Sequence, residues 1–95
     1  MYAVVGKWKM DPSQIADQDS VLHERIVPMV KGSPGFVSGQ WTRTADAAEA
    51  ISFIVFEDQG SAEAFLEVVK SDPENRGEHG VENGFLIVAE VLASA

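Results

Sequence analysis

The chain predicts an α+β fold with element order β-α-β-β-α-β. Three observations carry this expectation. Four segments are rich in β-branched and aromatic residues, two stretches of helical period fall after the first and third of them, and turn-forming residues mark the junctions.

Residues 2–9 form the first expected strand, with Tyr2, Val4, Gly6 and Trp8 on one face and Lys7 and Lys9 closing the other. Asp11-Pro12 then supplies a helix start. The Asp11 carboxylate can accept from first-turn amides, proline suits the first helical position, and Gln14 can complete a capping box. Ile15, Leu22, Ile26, Met29 and Val30 make an apolar stripe of helical period. Pro28 should bend or shorten the last turn, and Gly32-Ser33-Pro34-Gly35 should end it. Phe36 to Arg43 reads as the second strand and residues 44–49 as a turn. Ile51 to Phe56, the strongest strand signal, completes a hairpin. Asp58 or Ser61 can cap a second helix whose apolar positions are Ala62, Phe65, Leu66 and Val69. Residues 71–84 read as a polar loop, and Phe85 to Val91 as the last strand. This order is that of a ferredoxin-like sandwich, an antiparallel sheet with both helices on one face.

Composition bounds the function. At 95 residues, 45% of them apolar, a single domain over residues 1–95 is expected. Fifteen acidic against seven basic residues give a net charge of −8, a field that repels phosphate backbones and anionic membranes, so neither is an expected partner. The lack of cysteine excludes disulfides and thiolate chemistry. No basic segment precedes the apolar residues after Met1, and no apolar run approaches the ~20 residues of a membrane span. A cytoplasmic protein is expected.

The third and fourth strands are apolar on both faces. Ile51, Phe53 and Val55 oppose Ile54 and Phe56, with Ser52 the one polar interruption; Phe85, Ile87, Ala89 and Val91 oppose Leu86 and Val88. Two helices cover one face only, and each medium apolar side chain left in water forfeits about 1.5–3 kcal/mol. A twofold-related copy covering the second face is the expected solution, and a fold-over of loop 71–84 the alternative.

Pro34-Gly35-Phe36-Val37-Ser38-Gly39-Gln40-Trp41, entering the second strand, and Val55-Phe56-Glu57-Asp58, running into a helix through Ala62-Glu63-Ala64, resemble the dimeric α+β barrel superfamily, and within it the antibiotic biosynthesis monooxygenase-like domains. The resemblance implies a homodimer paired through its sheets and a small-ligand pocket between sheet and helices. It also implies a range of activities, from cofactor-independent oxygenation of aromatic compounds to haem degradation, alongside members of unknown activity.

A cofactor-free oxygenase needs hydrogen-bond donors near a phenolate inside an apolar pocket. The catalytic candidates are Trp41, through its indole N–H, and His23, at the edge of the first apolar stripe. Gln40 and Ser38, on the other face of Trp41's strand, and Phe65, on the second helix, are candidate ligand contacts. Each has a plainer reading: a half-solvated rim histidine, packing aromatics, and edge polar groups. Trp8, beside two lysines, reads as interface or edge packing. No cofactor is expected. Haem remains an alternative through His79, although residues 1–10 lack the asparagine that the haem-degrading relatives carry. No histidine pair has metal-ligand spacing, and the glycines at 77, 80 and 84 do not make a phosphate loop. An RNA-recognition motif shares the element order but needs basic residues where Ala48-Glu49-Ala50 stands. The residues therefore leave three readings open: an oxygenase, a non-catalytic ligand-binding dimer and, behind them, a haem-binding protein.

Overall fold

A computed structural model describes residues 1–72 and 80–95. Four strands, β1 (Tyr2–Met10), β2 (Phe36–Arg43), β3 (Glu49–Phe56) and β4 (Val81–Glu90), form one sheet in the order β2-β3-β1-β4. All neighbouring pairs are antiparallel. The most apolar strands, β1 and β3, take the central positions, where both edges are paired and side chains are best sheltered.

Register fixes two faces. Val4 of β1 lies opposite Ile54 and Val88, and Gly6 lies opposite Ser52 and Leu86, all on the helix-covered side. β4 begins at Val81, earlier than the expected Phe85, and the reason is a bulge. Lys7 pairs with Phe85 and Trp8 with Asn83, so Gly84 is the extra residue. Asn83 and Leu86 then share a face despite their odd and even numbers, which breaks the alternation by which a strand is read. A second bulge at Val37 does the same between Phe36 and Ser38.

The first helix starts at Asp11. Its Oδ1 accepts from the Ser13 amide at 2.9 Å and the Ser13 hydroxyl at 2.7 Å. Gln14 does not close the expected capping box; its side-chain amide donates to the Asp11 carboxylate at 3.3 Å. A short 3-10 turn, Pro12–Gln14, leads into α1 (Ile15–Val21), a π turn (Leu22–Ile26) and α2 (Val27–Lys31). Pro28 therefore does not shorten the helix, which runs on to Lys31. Its ring cannot donate to the Glu24 carbonyl and crowds it, and the turn before it widens, with the Val27 N–H donating to the Leu22 carbonyl five residues back. At Gly35 the chain turns with φ 77°, and the Gly35 carbonyl accepts from the Glu57 amide at 2.8 Å. A side chain there would meet both the left-handed backbone and Ser61.

Helix α3 (Gln59–Ser71) is capped by Asp58, whose Oδ1 accepts from the Ser61 amide at 2.8 Å. It buries Ala62 and Phe65 against β1, β3 and β4. With Val4, Val30, Ile54 and Phe56 these make the core. Phe56, fully buried, meets Phe36 edge-on at 6.4 Å between ring centroids and Phe65 at 5.2 Å.

The opposite face stays apolar and open at one end. Phe53, Val5 and Ile87 form one row across β3, β1 and β4, and Ile51, Lys7 and Phe85 form the next. Ile51, Phe53, Phe85 and Ile87 are 42–50% exposed, while Ala3 and Val55 further along the face are buried. The alternative cover, loop 71–84, includes residues 73–79, which lie outside the described residues. No described helix is long and apolar enough to cross a membrane.

Candidate functional site

A cavity of about 380 Å³ separates the first helix from the covered face of the sheet, at the lower end of small-molecule pockets. Its existence follows from residue size. Between the bulky rows of the core, the sheet carries Ser52 and Ala50, too short to reach the helix above. Val21, Leu22 and Ile26 form the roof, and Phe65 and Leu86 lie toward the core.

The π turn is what keeps the first helix facing the cavity. Gln18, Leu22, Ile26 and Val30 line it at a constant spacing of four, and Gln18 and Val30 are 6% and 0% exposed. At about 100° per residue an α-helix would overshoot three turns by roughly 120° over that distance, and the extra residue of a π turn takes back about 100° of it. Gln18 is held there by its side-chain amide, which donates to the Asp11 carbonyl at 2.9 Å.

Two indoles wall the cavity. Trp8 and Trp41 each lean back along the strand over the glycine two residues earlier. The Trp8 ring fills the space above Gly6, and Cη2 and Cζ3 of Trp41 come within 3.0 and 3.2 Å of where a Gly39 β-carbon would stand. Ser52, only 4% exposed, lies opposite Gly6 on one side and Trp41 on the other. Its neighbours across the sheet are thus Gly6, under the Trp8 ring, and the backbone of Trp41, whose ring leans toward Gly39.

Among the described residues, the charged groups at the cavity lie at its rim. Arg43, at the end of β2, pairs with Asp19 of α1. Arg25, in the π turn, donates to both carboxylate oxygens of Asp72 at 3.0 and 2.9 Å. Both pairs tether the first helix across the mouth, one to the sheet and one to the end of α3. Donated hydrogen bonds hold the carboxyls of Asp11, Asp46 and Asp58 below the ordinary range, but these three serve turns and caps and do not line the cavity.

Among the residues singled out from sequence, His23, Trp41 and Phe65 line this cavity. His23 is exposed, at the mouth; Trp41 is half-buried and Phe65 buried. Gln40 and Ser38 do not join them. The alternation of β2 turns both to the uncovered face, where they pair with Phe53 and Val55 and are exposed. His79, and with it the haem reading, falls outside the described residues. Trp8, expected at an interface or edge, is instead a cavity wall, because its even position sets it on Val4's face. Ser52 and Gln18 were missed, although Ser52 was visible as the one polar residue interrupting β3's apolar run. No group of three or more histidines and carboxylates suited to a metal occurs among the described residues.

Solved structures share this architecture. A protein of Deinococcus radiodurans, provisionally designated an antibiotic biosynthesis monooxygenase, is 11% identical, with a TM-score of 0.77 over 100% of this chain and 96% of its own. The haem degrader MhuD of Mycobacterium tuberculosis, solved with two haems in its active site, is 14% identical, with a TM-score of 0.77 over 100% and 99%. A Streptomyces coelicolor monooxygenase, solved with the ligand nanaomycin D, is 12% identical, with a TM-score of 0.63 over 99% and 89%. No family model and no curated protein matches the chain in sequence. The protein thus has the ferredoxin-like α+β fold of the antibiotic biosynthesis monooxygenase-like proteins, as the resemblance implied. At these identities the likeness defines the fold alone.

Proposed function

We propose that the protein binds a small, mostly apolar aromatic compound in the cavity between helices and sheet and oxygenates it without a cofactor. The observation that supports this reading is a cavity of about 380 Å³ walled by Trp8 and Trp41 and opening past His23. An electron-rich anthrone or phenol fits such a site chemically. Indole faces and the apolar roof bind its rings, and exclusion of water favours reaction of the anion with O2. His23 at the mouth is the proton acceptor and the Trp41 indole N–H the donor to the developing oxyanion. For an anthrone the substrate methylene loses both hydrogens and gains one oxygen atom from O2, and the second oxygen leaves as water.

Oxygen uptake with a hydroxyanthrone and quinol panel tests this. Turnover that falls at least tenfold in His23→Ala, with ligand binding kept, is the expected result. Binding without oxygen uptake favours the second reading, a non-catalytic ligand-binding protein. That reading has its own support, since the rim charges of Arg43 and Arg25 already have carboxylate partners in Asp19 and Asp72. In both readings a second copy of the chain covers the open sheet face, where Phe53 and Ile87 are exposed.

A further inference from the structure

Ser52 combines three properties found together at no other described cavity residue. Its side chain is small and polar, it is 4% exposed, and it lines the cavity from an inner strand of the sheet. Its cross-strand neighbours are Gly6 on β1 and Trp41 on β2. Gly6 has no side chain, and the space above it is occupied by the Trp8 ring, while Trp41 stands on the other flank. A flat molecule lying between the indoles would present an edge to Ser52. A hydroxyl both donates and accepts, so it pairs with either a phenolic O–H or a quinone or ketone oxygen. In a site this sheltered from water, a ligand edge without such an oxygen leaves the hydroxyl unpaired, which costs affinity.

We propose that Ser52 is a specificity-determining residue, hydrogen-bonding an oxygen on the edge of a flat two- or three-ring aromatic held between Trp8 and Trp41. This deepens the cavity reading above and rests on it. Wild type should bind 1-naphthol more tightly than naphthalene, followed by quenching of the indole fluorescence. One hydrogen bond corresponds to a preference of roughly three- to tenfold. Ser52→Ala should bind both compounds with nearly equal affinity, its naphthalene binding showing that the cavity is still folded. Retention of the full naphthol preference in Ser52→Ala would overturn the role of Ser52 and leave the cavity reading standing. Loss of both ligands in a Ser52→Ala protein of native circular dichroism would make Ser52 a structural residue and overturn the proposal too. Failure of wild type to bind either compound would remove the cavity reading and this inference with it.

Discussion

The ring of Trp8 occupies the space into which a side chain at Gly6 would project. The same relationship, looser, joins Trp41 to Gly39, where the clearance is 3.0 Å. The two sites should therefore respond differently to one added methyl. Gly6→Ala must push the Trp8 indole off the sheet and into the cavity, an overpacking that costs about 1–3 kcal/mol. Gly39→Ala asks Trp41 to give by a few tenths of an ångström. The lost freedom of the unfolded chain offsets that, leaving stability within about 1 kcal/mol of wild type. Urea denaturation of the two variants should show this order. Equal stabilities would mean that the rings are not fixed over their glycines.

Much of this arrangement was legible in the sequence, and the failures have identifiable causes. Period-2 alternation placed Trp41 opposite Gln40 and Ser38, and helical periodicity brought His23 to the edge of the stripe, because both depend only on local geometry. What escaped was whatever adds one residue to a regular repeat. The bulge at Gly84 hid the first residues of β4, and the π turn before Pro28 shifted the phase of the stripe beyond Leu22. Gln18, one turn before Leu22, escaped as well, because a polar side chain is not counted in an apolar stripe. Ser52 and Trp8 were misweighed for another reason. Their parity was plain, but that the covered face encloses a cavity depends on how far the first helix stands from the sheet, and no local pattern encodes that distance.

The β2–β3 turn holds a residue under strain. Ala47 has φ 60°, left-handed backbone that costs an alanine more than a glycine. The turn imposes it. The Ala47 amide donates to the Thr44 carbonyl at 2.9 Å, and Asp46 Oδ1 accepts from the Ala48 amide at 3.0 Å and the Thr44 hydroxyl at 2.7 Å. Ala47→Gly should stabilise the protein by about 0.5–1 kcal/mol, the relief of strain exceeding the added freedom of the unfolded chain. Ala47→Val should do the reverse. Thermal unfolding checks both, and a lower Tm for the glycine variant would mean that the turn is not held in this conformation.

Acid should weaken the protein through its caps. The Asp58 carboxyl lies below the usual carboxylate range because the Ser61 amide and hydroxyl donate to it; Asp11 and Asp46 are lowered by their own donors. A pKa lower in the folded than in the unfolded state contributes stability above the unfolded value, here 3.8, and loses it as pH falls through the folded value. Acidification also relieves the self-repulsion of a chain carrying −8, so the raw pH profile mixes two effects. Asp58→Asn separates them. The variant should be less stable than wild type at pH 7, and the gap should close below pH 3.8. A gap independent of pH would show that the carboxylate charge contributes nothing at this cap.

The open face carries the last prediction. Phe53, Val5 and Ile87 lie side by side across three strands, with Ile51 and Phe85 in the next row flanking Lys7. Lys7 does not break the patch, because its ammonium turns to Glu49 at 2.7 Å, half-exposed. A second copy would meet the same apolar rows about a twofold axis, and a stable interface buries ~800 Å² on each partner. Wild type should therefore sediment as a dimer at micromolar concentration, and its Tm should rise with protein concentration. Phe53→Glu with Ile87→Glu should yield a folded monomer of unchanged circular dichroism and lower Tm, since a carboxylate facing its twofold mate is desolvated and repelled at once. A wild-type protein that sediments as a monomer, with a Tm independent of concentration, would leave these rings in water and rule out the paired-sheet assembly.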